Sequence, residues 1–371
     1  MQYNWQLPDW PDFKYDLTDS IDQLLAFAEE TGNVSGLLKA APDAVKVETL
    51  IDIMVAEAIK TSEIEGEYLS RQDVASSIRN NLGINQKAQP VKDKKAQGVA
   101  ELMVDVRNSF TEPLTEKKLF EWHQMLLKDS RTINTGAWRK DTAPMQVVSG
   151  SVGNEKIHFE APPSSIVQHE MGRFIQWFND TAPGGKQEIK KAPVRSAIAH
   201  LYFESIHPFE DGNGRIGRAI AEKALSQTLS RPVMLSLSRK IEANRKNYYQ
   251  SLEAAQRSND ITGWVSYFVQ VILDAQIEAK ELLNFTLHKT QFFDLFKDKL
   301  NERQLKAVKR MLNEGPGGFE GGMTAKKYIS IAKTSKATAT RDLQSLLESG
   351  VLLSAGGGRS TSYSLNIKFY T

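Results

Sequence analysis

The chain has no cysteine. That excludes disulfides, thiolate nucleophiles, iron–sulfur clusters and cysteine-ligated zinc, and it suits a reducing compartment. No apolar run approaches the roughly 18 residues that a membrane helix needs, so no membrane partner is expected. The opening stretch, MQYNWQLPDWPDF, lacks the basic start and apolar core of a secretory signal. Export is therefore not expected, and a cytoplasmic location is. Excess charge is missing too. Lys and Arg number 47 against 45 Asp and Glu, a net of +2 over 371 residues, which is too little to advertise a polyanion partner over the whole surface. The balance is uneven, however: residues 301–371 hold eleven basic against five acidic side chains, a net of +6, which leaves −4 for the rest. Only that segment favours nucleic acid. Neither an H-E-x-x-H spacing nor a Ser-His-Asp order is legible, and no repeat of 20 to 50 residues stands out.

What is present is a chain about twice the length of a typical domain, so two or three packed units are expected. The expected division is residues 1–95, 96–290 and 300–371. The first part opens with an aromatic and proline cluster (Trp5, Pro8, Trp10, Pro11, Phe13, Tyr15) that is too rigid and apolar for a loose tail. Apolar positions recurring at three and four predict a helix over residues 43–59, running into T-S-E-I-E-G. Further helices are expected over 97–110, over 115–127 with its T-E-K-K start, and over 164–179. Two stretches break the pattern. Short β-prone runs around Gly150, Gly153 and Asn154 predict a β-hairpin between Trp138 and Pro163. The glycine-rich E-G-P-G-G-F-E-G-G-M-T at 314–324 predicts a loop between two helices. The fold class expected is mainly α, with a small α+β unit at the end.

The informative run is H-P-F-E-D-G-N-G-R-I-G-R at 207–218, which lies between two helical patterns and reads as the loop joining them. Each residue type in it suits a nucleotide phosphate. Gly212, Gly214 and Gly217 let backbone N–H groups approach an anion at the start of a helix. Arg215 and Arg218 add charge-assisted donors one turn apart. Asp211 is a hard ligand for magnesium, and His207 is a base that titrates near neutrality. Together they describe phosphoryl or nucleotidyl transfer. Gly212 to Gly217 also spells G-x-G-x-x-G, but a dinucleotide-binding turn must follow a β-strand, and here a helical stretch precedes it.

The run matches H-P-F-x-D-G-N-G-R-x-x-R without departure, and the chain is thereby identified as resembling Fic-domain proteins. The resemblance implies a helical Fic domain with a β-hairpin flap, which T-G-A-W-R-K at 135–140 and the hairpin at 147–163 look like. It implies transfer of AMP from ATP, with Mg2+, to a hydroxyl side chain of a target protein. His207 would be the general base and Phe209 the loop's anchor. Asp211 would hold the metal, Gly212, Asn213 and Gly214 would form the anion hole, and Arg215 and Arg218 would hold phosphates, with Ile216 and Gly217 in the same ATP-binding turn. A kinase branch of the family carries a bulkier residue at the position of Gly214, so this glycine favours AMP transfer. N-R-K-N-Y-Y at 244–249 looks like the nucleoside-contacting helix, with Asn244 and Tyr248 or Tyr249 as contacts, although adjacent tyrosines on a helix also read as one core and one surface residue.

The family's inhibitory motif is Ser or Thr, three residues, Glu, then Gly or Asn. Thr61, Glu65 and Gly66 satisfy it, so Glu65 is expected to pair with Arg218 and restrain transfer. His123, His158, His169, His200 and His288 are expected in structural or surface roles. The C-terminal part resembles a winged helix, with residues 335–348 as candidate recognition helix and 356–363 as wing. DNA and protein contact both stay open for it, as does a homodimer. Two rivals to AMP transfer also stay open: removal of AMP using Glu65, and a DNA-binding regulator whose Fic domain only senses nucleotide.

Overall fold

The computed structural model describes residues 2–85, 87–149, 156–357 and 360–367. It is mainly helical. The helices are α1 (Ile21–Ala40), α2 (Asp43–Ile64), α3 (Arg71–Asn81), α4 (Lys94–Asn108), α5 (Glu116–Leu126), α6 (Ser164–Asp180), α7 (Ala192–Ile206), α8 (Asn213–Thr228), α9 (Leu237–Ala243), α10 (Arg245–Ala255), α11 (Thr262–Phe296), α12 (Glu302–Leu312), α13 (Ala325–Ala332) and α14 (Lys336–Glu348). Two antiparallel pairs complete the described elements, β1 (Gln146–Ser149) with β2 (Lys156–Glu160) and β3 (Leu352–Ala355) with β4 (Ser362–Leu365). No described helix is long and apolar enough to cross a membrane. The chain divides into two compact units, Met1–Gly32 with Leu50–Ala279, and Asn33–Thr49 with Lys280–Thr371.

The larger unit is built around α7, in which every residue is buried. A helix buried on all sides is a central one, and each fully buried large apolar side chain here contributes about 1.5–3 kcal/mol. Two of its polar side chains bond inward. Ser196 donates to the Ala221 carbonyl of α8 at 2.8 Å, and the Arg195 guanidinium to the carbonyls of Phe178 (2.7 Å) and Ala224 (3.0 Å). The N-terminal aromatic cluster packs on the same helix. Trp10 and Phe13 meet Tyr202 edge-on at 5.2 and 5.5 Å, Trp10 Nε1 donates to Glu170 at 2.8 Å, and buried Asn4 donates to Ser205 at 2.9 Å. The threonine of T-E-K-K caps α5, with Thr115 Oγ1 accepting from the Lys118 N–H at 3.1 Å.

The flap hairpin pairs Gln146 with Glu160 and Val147 with Phe159, then shifts register before Val148 with Ile157. Its turn, including Gly150, Gly153 and Asn154, lies outside the described residues. Phe159 is buried and meets Tyr3 edge-on at 5.1 Å, which seats β2.

In the smaller unit α12, α13, α14 and the β3–β4 hairpin share one apolar core, containing Val308, Met311, Tyr328, Leu343, Leu346 and Val351. Asn301, Thr324 and Ser335 cap the three helices. Buried Asp342 accepts from Arg303 at 2.9 Å and from the Tyr328 hydroxyl at 3.0 Å, tying α12, α13 and α14 together. Part of the expected wing, Gly358 and Arg359, lies outside the described residues.

Candidate active site

The site grows from the end of α7. There His207 adopts φ 50, ψ 60, the left-handed region, while its N–H caps the helix on the Phe203 carbonyl at 2.9 Å. A non-glycine residue held in this conformation costs of order 1 kcal/mol, and such residues gather where a side chain must be aimed. Arg139 holds the turn in place. Its Nε donates to the His207 carbonyl at 2.8 Å, and its backbone N–H donates to the Pro208 carbonyl at 2.9 Å. Phe209, fully buried, stacks on the His123 ring at 4.1 Å and lies 5.0 Å from the Trp138 ring.

His123 fixes the far side of the loop. Its Nδ1 accepts the Gly136 N–H at 2.9 Å, so the proton sits on Nε2, which donates to the Asp211 carbonyl at 3.2 Å. Burial pulls its pKa down to about 4, so the ring is neutral. Asn213 clips the loop from below: its side chain accepts the Phe209 N–H at 2.9 Å and donates to the Phe209 carbonyl at 2.8 Å. The anion hole expected here is therefore left to backbone groups, because the Asn213 side chain is committed to the loop.

Only residues 207–212 form the loop; Asn213 through Arg218 are the first turns of α8. Gly212 is the N-cap at φ 82, a conformation that favours glycine, and no side chain caps the helix. The first N–H groups of a helix have no partner within it, so α8 presents an uncapped, positively polarised end beside His207. Asp211, whose side chain is half-exposed, accepts the Gly212 N–H at 2.6 Å.

Glu65 meets that helix end. Thr61 and Glu65, one turn apart at the end of α2, both face Arg218. Its Nε donates to Thr61 Oγ1 at 2.8 Å, and its Nη2 donates to the Thr61 carbonyl at 2.9 Å and to Glu65 Oε1 at 2.7 Å. Gly66, at φ 80, ends the helix, with the Glu67 N–H returning to the Ser62 carbonyl at 2.9 Å. A Cβ on Gly214 would collide with Glu65 Oε1. The carboxylate thus lies over the first turn of α8, a position suited to an anion.

The remaining expected contacts divide. Arg215 is buried and paired with Glu67, with Asp211 Oδ1 at 3.4 Å, and Glu67 also accepts from Lys95 at 2.7 Å. The Ile216 side chain belongs to the core. Gly217 faces α7, where a Cβ would collide with Glu204. Asn244 is exposed at the start of α10. Tyr248 is buried, its hydroxyl 2.8 Å from His200 Nε2, whereas Tyr249 is exposed and its hydroxyl lies 3.4 Å from the Ile64 carbonyl at the end of α2. Sequence reasoning missed Arg139, Glu67 and Glu204, and it assigned His123 only a generic structural role. Each acts through a partner distant in sequence or through a lone charge that forms no pattern.

A family model described as "Fic/DOC family" matches residues 113–225, and one described as "domain of unknown function (DUF4172)" matches residues 3–84. The chain is similar to the protein adenylyltransferase Fic of Culex quinquefasciatus, 29% identical over 170 residues, which are 46% of this chain and 29% of that one. It is also similar to the protein adenylyltransferase Fic of Drosophila mojavensis, 25% identical over 221 residues, 59% of this chain and 39% of that one. The matches thus span well under half of these relatives' lengths. Among solved structures, a Fic family protein from Desulfovibrio desulfuricans G20 superposes with a TM-score of 0.57 at 18% identity, covering 96% of this chain and 98% of that one. A Fic domain containing signaling protein from Bacteroides thetaiotaomicron VPI-5482 gives 0.53 at 17% identity, covering 69% and 96%. At these identities the likeness is one of fold. Residues 113–225 of this chain are a Fic/DOC family domain.

Proposed function

We propose that the chain transfers AMP from ATP to a Ser, Thr or Tyr hydroxyl of a protein, and that Glu65 restrains the transfer. The observation that carries this reading is the uncapped start of α8 beside His207, with the Glu65 carboxylate lying over it. The names of the curated relatives agree with it.

In this reading the N–H groups of Asn213 and Gly214 receive the phosphates and Arg218 holds the γ-phosphate. Arg215 adds charge beneath them. The target hydroxyl gives its proton to His207 Nε2 as its oxygen attacks the α-phosphorus in line. The new P–O bond forms, the bond from the α-phosphorus to the bridging oxygen breaks, and that electron pair leaves with pyrophosphate. Each preorganised donor facing the developing charge is worth about 3 kcal/mol by analogy with other oxyanion sites. Asp211 would hold magnesium: it is an accessible hard carboxylate at the loop's mouth. Magnesium held there would offset negative charge on the phosphates. At the start of α10, Asn244 and exposed Tyr249 are the groups offered to the nucleoside. We read α12 to α14 with β3 and β4 as a winged helix that contacts DNA or protein.

Incubation with ATP and magnesium tests the reading, using label in the α-phosphate in one reaction and in the γ-phosphate in another. Protein-bound α-label without γ-label supports AMP transfer. γ-Label alone indicates phosphate transfer, and release of AMP from an already modified protein indicates reversal.

A further inference from the structure

Glu204 lies on α7, one helical turn before His207. It is 4% exposed, a rare burial for a carboxylate. Its Oε2 faces His207 Nδ1 at 3.5 Å, and among the described residues that buried Nδ1 has no hydrogen-bond partner. The carboxylate fits because residue 217 is glycine, since any Cβ there would collide with Glu204 Oε1. Burial would push the Glu204 carboxyl up. His207, His200 and Arg218 around it outweigh burial and hold it below its ordinary range, so it is an anion.

We propose that Glu204 is a positioning residue for His207. Its carboxylate accepts the Nδ1 proton, which leaves the Nε2 lone pair for the target hydroxyl and stabilises the imidazolium once that proton arrives. This rests on His207 being the base. The backbone already sets where the ring stands, through the left-handed φ of His207 and the Arg139 clamp. What the backbone cannot set is which nitrogen carries the proton. A neutral imidazole offers a lone pair on one nitrogen only, and the partner of the other decides which. The groups facing Glu204 are His200, His207, Arg218 and Tyr248. Of these, His200 Nε2 is bonded to the Tyr248 hydroxyl, and Arg218 is held by Thr61 and Glu65. His207 is the base among them, and its free nitrogen points at the carboxylate.

The alternative role for Glu204 is a counter-ion for buried Arg218, and the tautomer of His207 separates the two. The chain has six histidines, so 15N-histidine labelling with His207→Ala as the difference control identifies the His207 nitrogens. For the neutral ring we expect the proton on Nδ1 of His207. In the Glu65→Gly background, Glu204→Gln should lower kcat for AMP transfer about tenfold or more while KM for ATP stays within about twofold. A proton on Nε2 in the otherwise unaltered chain overturns the proposal however the variant behaves, including if Glu204→Gln fails to fold. A proton on Nδ1 with unchanged kcat in folded Glu204→Gln also overturns it. Failure of the base assignment itself is read separately, from His207→Ala transferring AMP at the wild-type rate.

Discussion

Arg218 Nη2 donates to Glu65 Oε1 across 2.7 Å, and Thr61 fills two more of the guanidinium's bonds from the same helix. In the proposed reading a γ-phosphate and the end of α2 would compete for this buried cation. Glu65→Gly should raise auto-AMPylation by up to roughly a hundredfold, the cost of misplacing a reacting group by about 1 Å. The fold should be unaffected, because Glu65 lies at a helix end and is not a core side chain. Arg218→Ala should abolish transfer in either background. Initial rates with α-labelled ATP check both variants.

Gly214 packs under Glu65 and Arg218, so a side chain there would disturb Glu65 and, in the proposed reading, the bound phosphates together. Removing Glu65 separates the two effects. In the Glu65→Gly background, Gly214→Lys should lower AMP transfer at least about tenfold, since the space Glu65 vacates is where the phosphates are proposed to lie. A rate equal to that of Glu65→Gly alone would place the phosphates elsewhere.

Glu67 anchors the segment after Gly66 by pairing with Arg215 and Lys95. Glu67→Gln should loosen Glu65 and raise auto-AMPylation severalfold, matching about 1 kcal/mol of lost pairing. It should have no such effect once Glu65 is glycine. Comparing the two backgrounds in one assay checks the coupling.

His123 gives a pH signature. Its folded pKa of about 4 lies below the ordinary 6.5, so the unfolded chain binds more protons between these values. Stability is therefore lost as pH falls from about 6.5 towards 4, by about 2 kcal/mol at pH 5. His200, also lowered by burial, acts in the same direction. The thermal midpoint should fall between pH 7 and pH 5, and His123→Gln should show a smaller fall. Equal falls would mean that His123 is not held neutral.

Much of the site was legible in the sequence because its parts are local. Thr61 and Glu65 share a helix face by spacing alone, and Gly66 marks the stop. The run from His207 to Arg218 carries its chemistry in one stretch. The parts that escaped are pairings across the chain: Arg139 reaches His207 from 68 residues away, and Glu67 reaches Arg215 from 148. A single charge has no period to announce its partner. The glycines were legible as close approaches but not as to what approaches. Gly214 admits Glu65 and Gly217 admits Glu204, and both lie within α8 rather than in a loop. The tyrosine pair resolved into one core and one surface residue because α10 turns only Tyr248 towards His200.

In the proposed reading His207 drives AMP transfer from a site that Glu65 blocks. Intact mass measurement of the Glu65→Gly chain after incubation with ATP and magnesium tests it most directly. An adduct of AMP on a hydroxyl side chain is expected, weaker in the wild type and absent when His207→Ala is added. An adduct of a single phosphate, or an AMP adduct that persists without His207, would contradict it.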